Sequence, residues 1–112
     1  MAELRRVGTD VELRLTLGEK IAGLHGDIRV PVSAVKAVDV VDEPLRAVAG
    51  IRAPGLHWPG RTKIGTWRSR GRKTFAVAGA GRPAVQIELH GQTYDRLVVS
   101  VADAQSSVES FR

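Results

Sequence analysis

The fold is decided by the stretch from Ile64 to Val101, which reads IGTWRSRGRKTFAVAGAGRPAVQIELHGQTYDRLVVSV. Apolar and polar residues alternate over 85–90, and Leu97, Val99 and Val101 follow the same spacing. Because successive side chains of a strand point to opposite faces, this alternation predicts strands with one buried face. Glycine-containing segments between the apolar runs predict tight turns. The stretch therefore predicts four short strands, over Ile64–Arg70, Lys73–Ala78, 85–90 and Arg96–Val101.

The N-terminal half continues this pattern. Over Val11–Leu17 the odd positions are apolar and the even positions are polar, which predicts another half-buried strand. Gly18-Glu19 then predicts a tight turn, after which Lys20–Leu24 would return as the second strand of a hairpin. Two further strands are predicted at Ile28–Val32 and at Val35–Val41, both of which are rich in β-branched residues.

The middle of the chain and its end depart from the strand pattern. Pro44, followed by 45–49, predicts one or two helical turns. The pairs Pro54-Gly55 and Pro59-Gly60 then predict a long ordered loop over residues 50–63, since proline presets φ and glycine accepts positive φ. Residues 103–112 predict a C-terminal helix capped by Asp103.

Together these elements predict a single mainly β domain over residues 1–112, with about seven short strands followed by one helix. Parallel neighbours need long crossover connections, so the short connections favour antiparallel pairing. One face of each strand is apolar, and the sheet must therefore fold onto itself or pack against a second sheet.

This order resembles the bacterial pleckstrin-homology (PH-like) domains. The strand, proline, short turn and strand of 28–40 resemble the region around the third strand of that family. The Pro-Gly pairs that lead into Gly65-Thr66-Trp67, and the helix after Val101, resemble its later part. The resemblance implies a partly open antiparallel barrel of about seven strands closed by one C-terminal α-helix. The phosphoinositide headgroup site of some relatives is not carried over, because Gly18-Glu19-Lys20 is short and mixed in charge.

Charge is distributed unevenly along the chain. Residues 44–87 hold nine of the 17 basic residues and no acidic residue, so this segment has a net charge of about +9. The remainder holds eight basic residues against all 12 acidic ones. An anionic partner would therefore meet the middle segment first. Arginine outnumbers lysine throughout the chain, which weakens the argument that each arginine was selected for binding.

The leading candidate for an anion-binding site is the densest part of this segment. Arg68, Arg70 and Arg72 are spaced to share one face of a strand, and arginine forks suit phosphate groups. Trp67 beside them is a candidate partner contact, by stacking on a base or lying at a membrane interface. The alternative is an ordinary solvated strand face with Trp67 in the core. The full set of candidate anion-binding residues is Arg61, Lys63, Arg68, Arg70, Arg72 and Lys73.

Trp58, in the predicted Pro-Gly loop, is the second candidate contact for a partner. Its alternative role is a lid over the end of the barrel, since a long loop in a small domain needs an anchor.

Catalytic, metal and cofactor sites are not predicted. The chain has no cysteine, and its three histidines, His25, His57 and His90, do not have metal-ligand spacing. No serine lies in the G-x-S-x-G turn of an activated nucleophile.

We therefore expect a non-enzymatic binding module without a cofactor, whose partner is an anionic membrane surface or an acidic protein. Its expected location is cytoplasmic, at the membrane periphery in the lipid case. Nucleic-acid binding by the same arginines ranks second, because no nucleic-acid-binding motif occurs. Self-association, with the basic segment of one copy against the acidic remainder of another, is a third alternative.

Overall fold

The computed structural model describes residues 2–23, 26–48, 50–58 and 60–111, with the backbone alone at 21–23 and 51–58. This part of the chain is mainly β, as predicted, but it holds nine strands where about seven were predicted. Its nine strands are β1 (Glu3–Val7), β2 (Asp10–Arg14), β3 (Ile28–Pro31), β4 (Val35–Val41), β5 (Ile51–Trp58), β6 (Thr62–Ser69), β7 (Arg72–Gly79), β8 (Ala84–Leu89) and β9 (Arg96–Ser100). Three α-helices accompany them, α1 (Leu17–Gly23), α2 (Pro44–Ala47) and α3 (Ala104–Ser110), and a 3-10 turn over Val32–Ala34 joins β3 to β4.

The strands form two sheets. The smaller sheet has the order β1-β2-β3, and the larger has the order β4-β8-β9-β7-β6-β5. Within the described residues these sheets form no closed barrel. All strand pairs are antiparallel except β7 and β9, which run parallel. The prediction of antiparallel neighbours is wrong for that pair, because β8 itself serves as the crossover and β9 then returns between β8 and β7.

The sheets pack against each other through one hydrophobic core. Leu13 and Val30 of the smaller sheet meet Phe75, Ile87 and Val99 of the larger sheet there, and all five side chains are buried. The helix α3 adds two buried side chains to this core, Ala104 and Val108. The predicted cap of α3 is confirmed, since the Asp103 carboxylate accepts a hydrogen bond of 3.0 Å from the Ser106 backbone N–H.

The predicted turn at Gly18-Glu19 and the strand after it are wrong, because α1 occupies this position. The Glu19 N–H donates to Thr16 Oγ1 at 3.2 Å, and the Thr16 N–H donates to Glu19 Oε1 at 2.9 Å. This reciprocal pair is a capping box, which satisfies two backbone donors at the start of a helix. The Thr16-x-x-Glu19 spacing was present in the sequence as a signal for a helix. Leu24 lies outside the described residues.

The long loop predicted over residues 50–63 is also wrong, because β5 pairs with β6 from Ile51 opposite Arg68 to Trp58 opposite Thr62. Proline is tolerated in an edge strand, where its missing N–H faces away from the neighbour. β5 lies at the edge of its sheet, and its register shifts between Arg52 and Gly55, the interval that contains the proline. The Pro-Gly signal therefore marked an irregular edge strand. β1 was not predicted, because its mostly exposed residues lack an apolar alternation.

Candidate functional site

The β6–β7 hairpin ends in a two-residue turn of arginine and glycine. Ser69 pairs with Arg72, and between them Arg70 and Gly71 have φ angles of 51° and 77°. Two positive φ angles in succession are typical of the type I′ turn, which matches the twist of the flanking strands. Arg70 is the only non-glycine residue with positive φ in the described part of the chain. We call Arg68, Arg70, Arg72 and Lys73 the basic hairpin tip.

The prediction that Arg68, Arg70 and Arg72 share one face is wrong. Since β6 ends at Ser69, Arg70 lies in the turn and Arg72 begins the returning strand. Arg68 is directly opposite Lys73, whereas Arg72 is opposite Ser69 and therefore lies on the other face of the sheet. The turn thus distributes the four cations over both faces and the end of one hairpin.

The cations of the tip differ in their partners. Arg68 and Arg70 are exposed and form no ion pair with any described residue. Arg72 forms an ion pair with Glu88, in which Arg72 Nη1 lies 3.7 Å from Glu88 Oε2. The Lys73 ammonium lies 4.9 Å from the centre of the Tyr94 ring, and the Lys73 backbone N–H donates to the Asp95 carboxylate at 2.8 Å. Folding therefore brings carboxylates close to a segment that has none of its own.

Tyr94 gives the tip a rigid base. Its ring is buried and lies edge-on to Phe75, with a centroid distance of 5.4 Å, and its hydroxyl is 3.0 Å from Thr66 Oγ1. A ring fixed by packing and by a buried hydrogen bond presents a defined face to the Lys73 ammonium. The position of Lys73 is thereby coupled to the core.

Glu88 adds an arginine that the sequence did not point to. Its Oε1 accepts a hydrogen bond of 2.8 Å from Arg96 Nε, and its Oε2 faces Arg72. Arg96 lies outside the basic segment along the chain, but the pairing of β8 with β9 places it opposite Glu88. The sequence predicted both strands by their alternation, but it did not predict their register, which is what places Arg96 opposite Glu88. Arg96 therefore neutralises Glu88 beside the tip.

Lys63 is separated from the tip by the length of the hairpin. Its ammonium donates to the Leu45 carbonyl, within α2, at 2.9 Å and to the carbonyl of Val48, the residue that caps the carboxyl end of α2. Burial lowers the pKa of Lys63 below its usual value. Its cation therefore holds α2 against the sheet and is not displayed at the tip.

Arg61 also lies at the end of the hairpin away from the tip, just before β6 begins. Its carbonyl accepts a hydrogen bond of 2.8 Å from the Ala80 N–H, and its side chain is exposed. Each strand of the hairpin has eight residues, which corresponds to a length of roughly 25 Å. The six candidate anion-binding residues are thus divided between two ends of one hairpin.

Trp67 is in the core and is not a surface contact. Its side chain is 2% exposed and packs in a second buried cluster with Val48, Ala76, Ala84 and Val98, on the face of the larger sheet that α2 covers. The alternative prediction, that Trp67 belongs to the hydrophobic core, therefore describes its position. Trp58 is the last residue of β5, and its side chain lies outside the described residues.

Among the described residues no group of three or more His, Asp or Glu side chains could hold a metal ion. No α-helix in these parts of the chain is long and apolar enough to cross a membrane.

Comparison with protein-family models, with curated proteins and with solved structures found no match.

Proposed function

We propose that the protein is a non-enzymatic binding module that docks the basic hairpin tip on an anionic membrane surface. The proposal rests on two features of the tip, each of which lowers the stability of the folded protein. Arg68 and Lys73 are like charges directly opposite each other on paired strands, and Arg70 adopts a positive φ that side chains disfavour. Such features are typical of sites where a ligand is bound.

The shape of the tip supports a broad, flat partner. The last pairs with the neighbouring strands are Ile51 with Arg68 on one side and Thr74 with Arg96 on the other. Beyond these pairs, the Asp95 N–H donates to the Lys73 carbonyl at 2.8 Å and Gly50 lies close to Ser69. The turn residues Arg70 and Gly71 therefore extend past both neighbours. A projecting turn can approach a plane without a complementary groove, and its cations on both faces can reach the same surface.

Electrostatics sets the expected strength of this contact. Each basic residue near an anionic bilayer contributes about 1 kcal/mol, and the attraction decays within a Debye length. Glu88 and Asp95 offset part of this attraction at Arg72 and Lys73, so Arg68 and Arg70 should contribute most. Binding by so few charges is weak and sensitive to salt.

The PH-like assignment, a partly open barrel closed by a C-terminal helix, belongs to the same proposal. Two facing sheets and the packing of α3 against β4 and β8 support it, whereas the parallel β7–β9 pair departs from an antiparallel barrel. Nucleic-acid binding ranks lower, because the buried Trp67 ring has no face for base stacking. Peripheral attachment at the cytoplasmic side of a membrane is the location that the proposal implies.

Co-sedimentation with vesicles tests the proposal. The purified protein is mixed with vesicles of phosphatidylcholine alone or with added phosphatidylglycerol, at low and at near-physiological salt. We expect binding to the anionic vesicles only, weakened by salt and by Arg68→Gln or Arg70→Gln. The matched control is Arg46→Gln, which removes one exposed positive charge from α2, near the Lys63 end of the hairpin.

Three outcomes would contradict docking by the tip. These are equal binding to neutral vesicles, no binding at low salt, and equal losses in the Arg70→Gln and Arg46→Gln variants. The third would indicate a response to net charge alone. Preferential binding of single-stranded nucleic acid, or association of copies without lipid, would favour the alternatives.

A further inference from the structure

A cavity of about 500 Å³ lies between α1 and the end of the β6–β7 hairpin opposite the tip. Its apolar wall includes Ile64 and Val77, and Arg61 and Arg82 line its rim. Ligand pockets in proteins are commonly of this size and combine an apolar lining with a few polar groups. The cavity shares no residue with the basic hairpin tip.

The charge of the cavity is positive. Arg82 is exposed and forms no ion pair with any described residue. Glu19 also lines the cavity, but its two carboxylate oxygens accept hydrogen bonds from the backbone N–H groups of Ala2 and Thr16. The carboxylate is thereby held by the backbone of the N-terminal segment, and the two arginines outnumber it at the rim.

Arg82 is held in place by the turn that precedes β8. The buried Ser100 hydroxyl accepts a hydrogen bond of 3.1 Å from the Gly79 N–H and donates one of 2.9 Å to the Arg82 carbonyl. The Arg82 side chain passes close to Gly79, where a Cβ atom would lie 3.2 Å from Arg82 Cδ. Ser100 and Gly79 therefore fix both the backbone and the stem of Arg82 beside the cavity.

We propose that this cavity binds a small amphipathic carboxylate, of which an unbranched alkanoate is the simplest example. The alkyl chain would lie on Ile64 and Val77, which are paired on one face of the hairpin, and the carboxylate would meet Arg82 with Arg61 beside it. A guanidinium fork matches a carboxylate with two parallel hydrogen bonds. The apolar wall favours this ligand over a bare anion, which would leave that wall in water.

Calorimetric titration with hexanoate, octanoate and decanoate tests this site, with all three kept below their micelle concentrations. Affinity should rise about threefold to fourfold for each added methylene group until the cavity is filled. Arg82→Gln should weaken octanoate binding about tenfold or more, because a charge-assisted pair is lost. Arg82→Lys keeps the charge without the fork and should retain part of the affinity. Arg46→Gln, outside the cavity, should bind octanoate as the wild type does.

Other results would overturn the site. They are an affinity that does not depend on chain length, equal binding of octanol, binding of inorganic phosphate as strong as that of octanoate, or unchanged binding in Arg82→Gln. Circular dichroism melting of each variant verifies that it is folded. The titration contains no lipid surface, and its outcome is therefore independent of the vesicle experiment on the tip.

Discussion

At the scale of single residues, Arg70 is expected to lower the stability of the folded protein while it strengthens the proposed membrane binding. Its φ of 51° is a conformation that glycine and asparagine adopt more readily than arginine. We expect Arg70→Asn to raise the free energy of unfolding by about 0.5–1 kcal/mol while it weakens binding to anionic vesicles. Urea unfolding and vesicle co-sedimentation measure the two effects. A variant that is less stable than the wild type would show that Arg70 makes a stabilising contact.

Asp27 makes stability depend on pH at the start of β3. The Leu15 backbone N–H donates to the Asp27 carboxylate at 2.8 Å, and Lys20 Nζ lies 3.7 Å from Asp27 Oδ1. The hydrogen bond, and to a smaller extent the charge of Lys20, lower the pKa of Asp27 below 3.8. A lowered pKa in the folded state means that the unfolded chain binds the proton more tightly. The stabilisation is therefore fully present well above the unperturbed pKa of 3.8, and it is lost progressively as pH falls from that value through the folded-state pKa.

The variant Asp27→Asn isolates this contribution. The difference in free energy of unfolding between wild type and variant should be constant near neutral pH and shrink as the solution is acidified below the unperturbed pKa. Urea unfolding at a series of pH values measures it. A difference that stays constant into strong acid would show that the carboxylate charge does not act there.

At the scale of elements, α2 depends on one lysine. It has only four residues and would not be stable by itself. The Lys63 ammonium donates to the carbonyls of Leu45 and Val48. The Val48 side chain packs in a buried cluster with Trp67 and Ala76. We expect Lys63→Met to lower the free energy of unfolding by about 1–3 kcal/mol, since the buried acceptors lose their donor.

Hydrogen exchange locates the effect of Lys63→Met. Protection should fall in α2, whereas vesicle binding through the tip should be unchanged, because Lys63 lies at the other end of the hairpin. A stable variant with weakened vesicle binding would instead place Lys63 in the anion site, as the sequence predicted. Arg61→Gln provides a comparison, because it removes a different basic side chain at the same end of the hairpin.

At the scale of the whole molecule, α3 and the two sheets share one core. Val108 of α3 is 1% exposed among side chains of both sheets. We expect Val108→Ala to lower the free energy of unfolding by about 1–3 kcal/mol, through lost burial and a residual cavity. If the chain is one cooperative domain, the entire thermal transition should shift without a second step. A separate early transition for the helix would contradict a single domain.

The sequence by itself determined the elements whose signals are local. Alternation over residues 85–90 and at Leu97, Val99 and Val101 predicted β8 and β9, and Asp103 predicted the cap of α3. A hairpin turn was predicted at Gly71-Arg72, and the turn lies one residue earlier, at Arg70 and Gly71. Each of these signals lies within a few residues of its structural effect. Local signals conflict at α1, where Gly18 predicts a turn although Thr16 and Glu19 form a capping box.

Only the tertiary structure decided how the basic residues are grouped. The sequence placed six candidates in one segment, but the hairpin separates Arg61 and Lys63 from the tip, and the turn puts Arg68 and Arg72 on opposite faces. The pairing of β8 with β9 brings Arg96 beside Glu88, and the contact of Lys63 with α2 crosses 15 or more positions. These positions follow from strand order and register, which depend on burying the shared core between two sheets, and a local pattern carries no information about which distant strand will complete it.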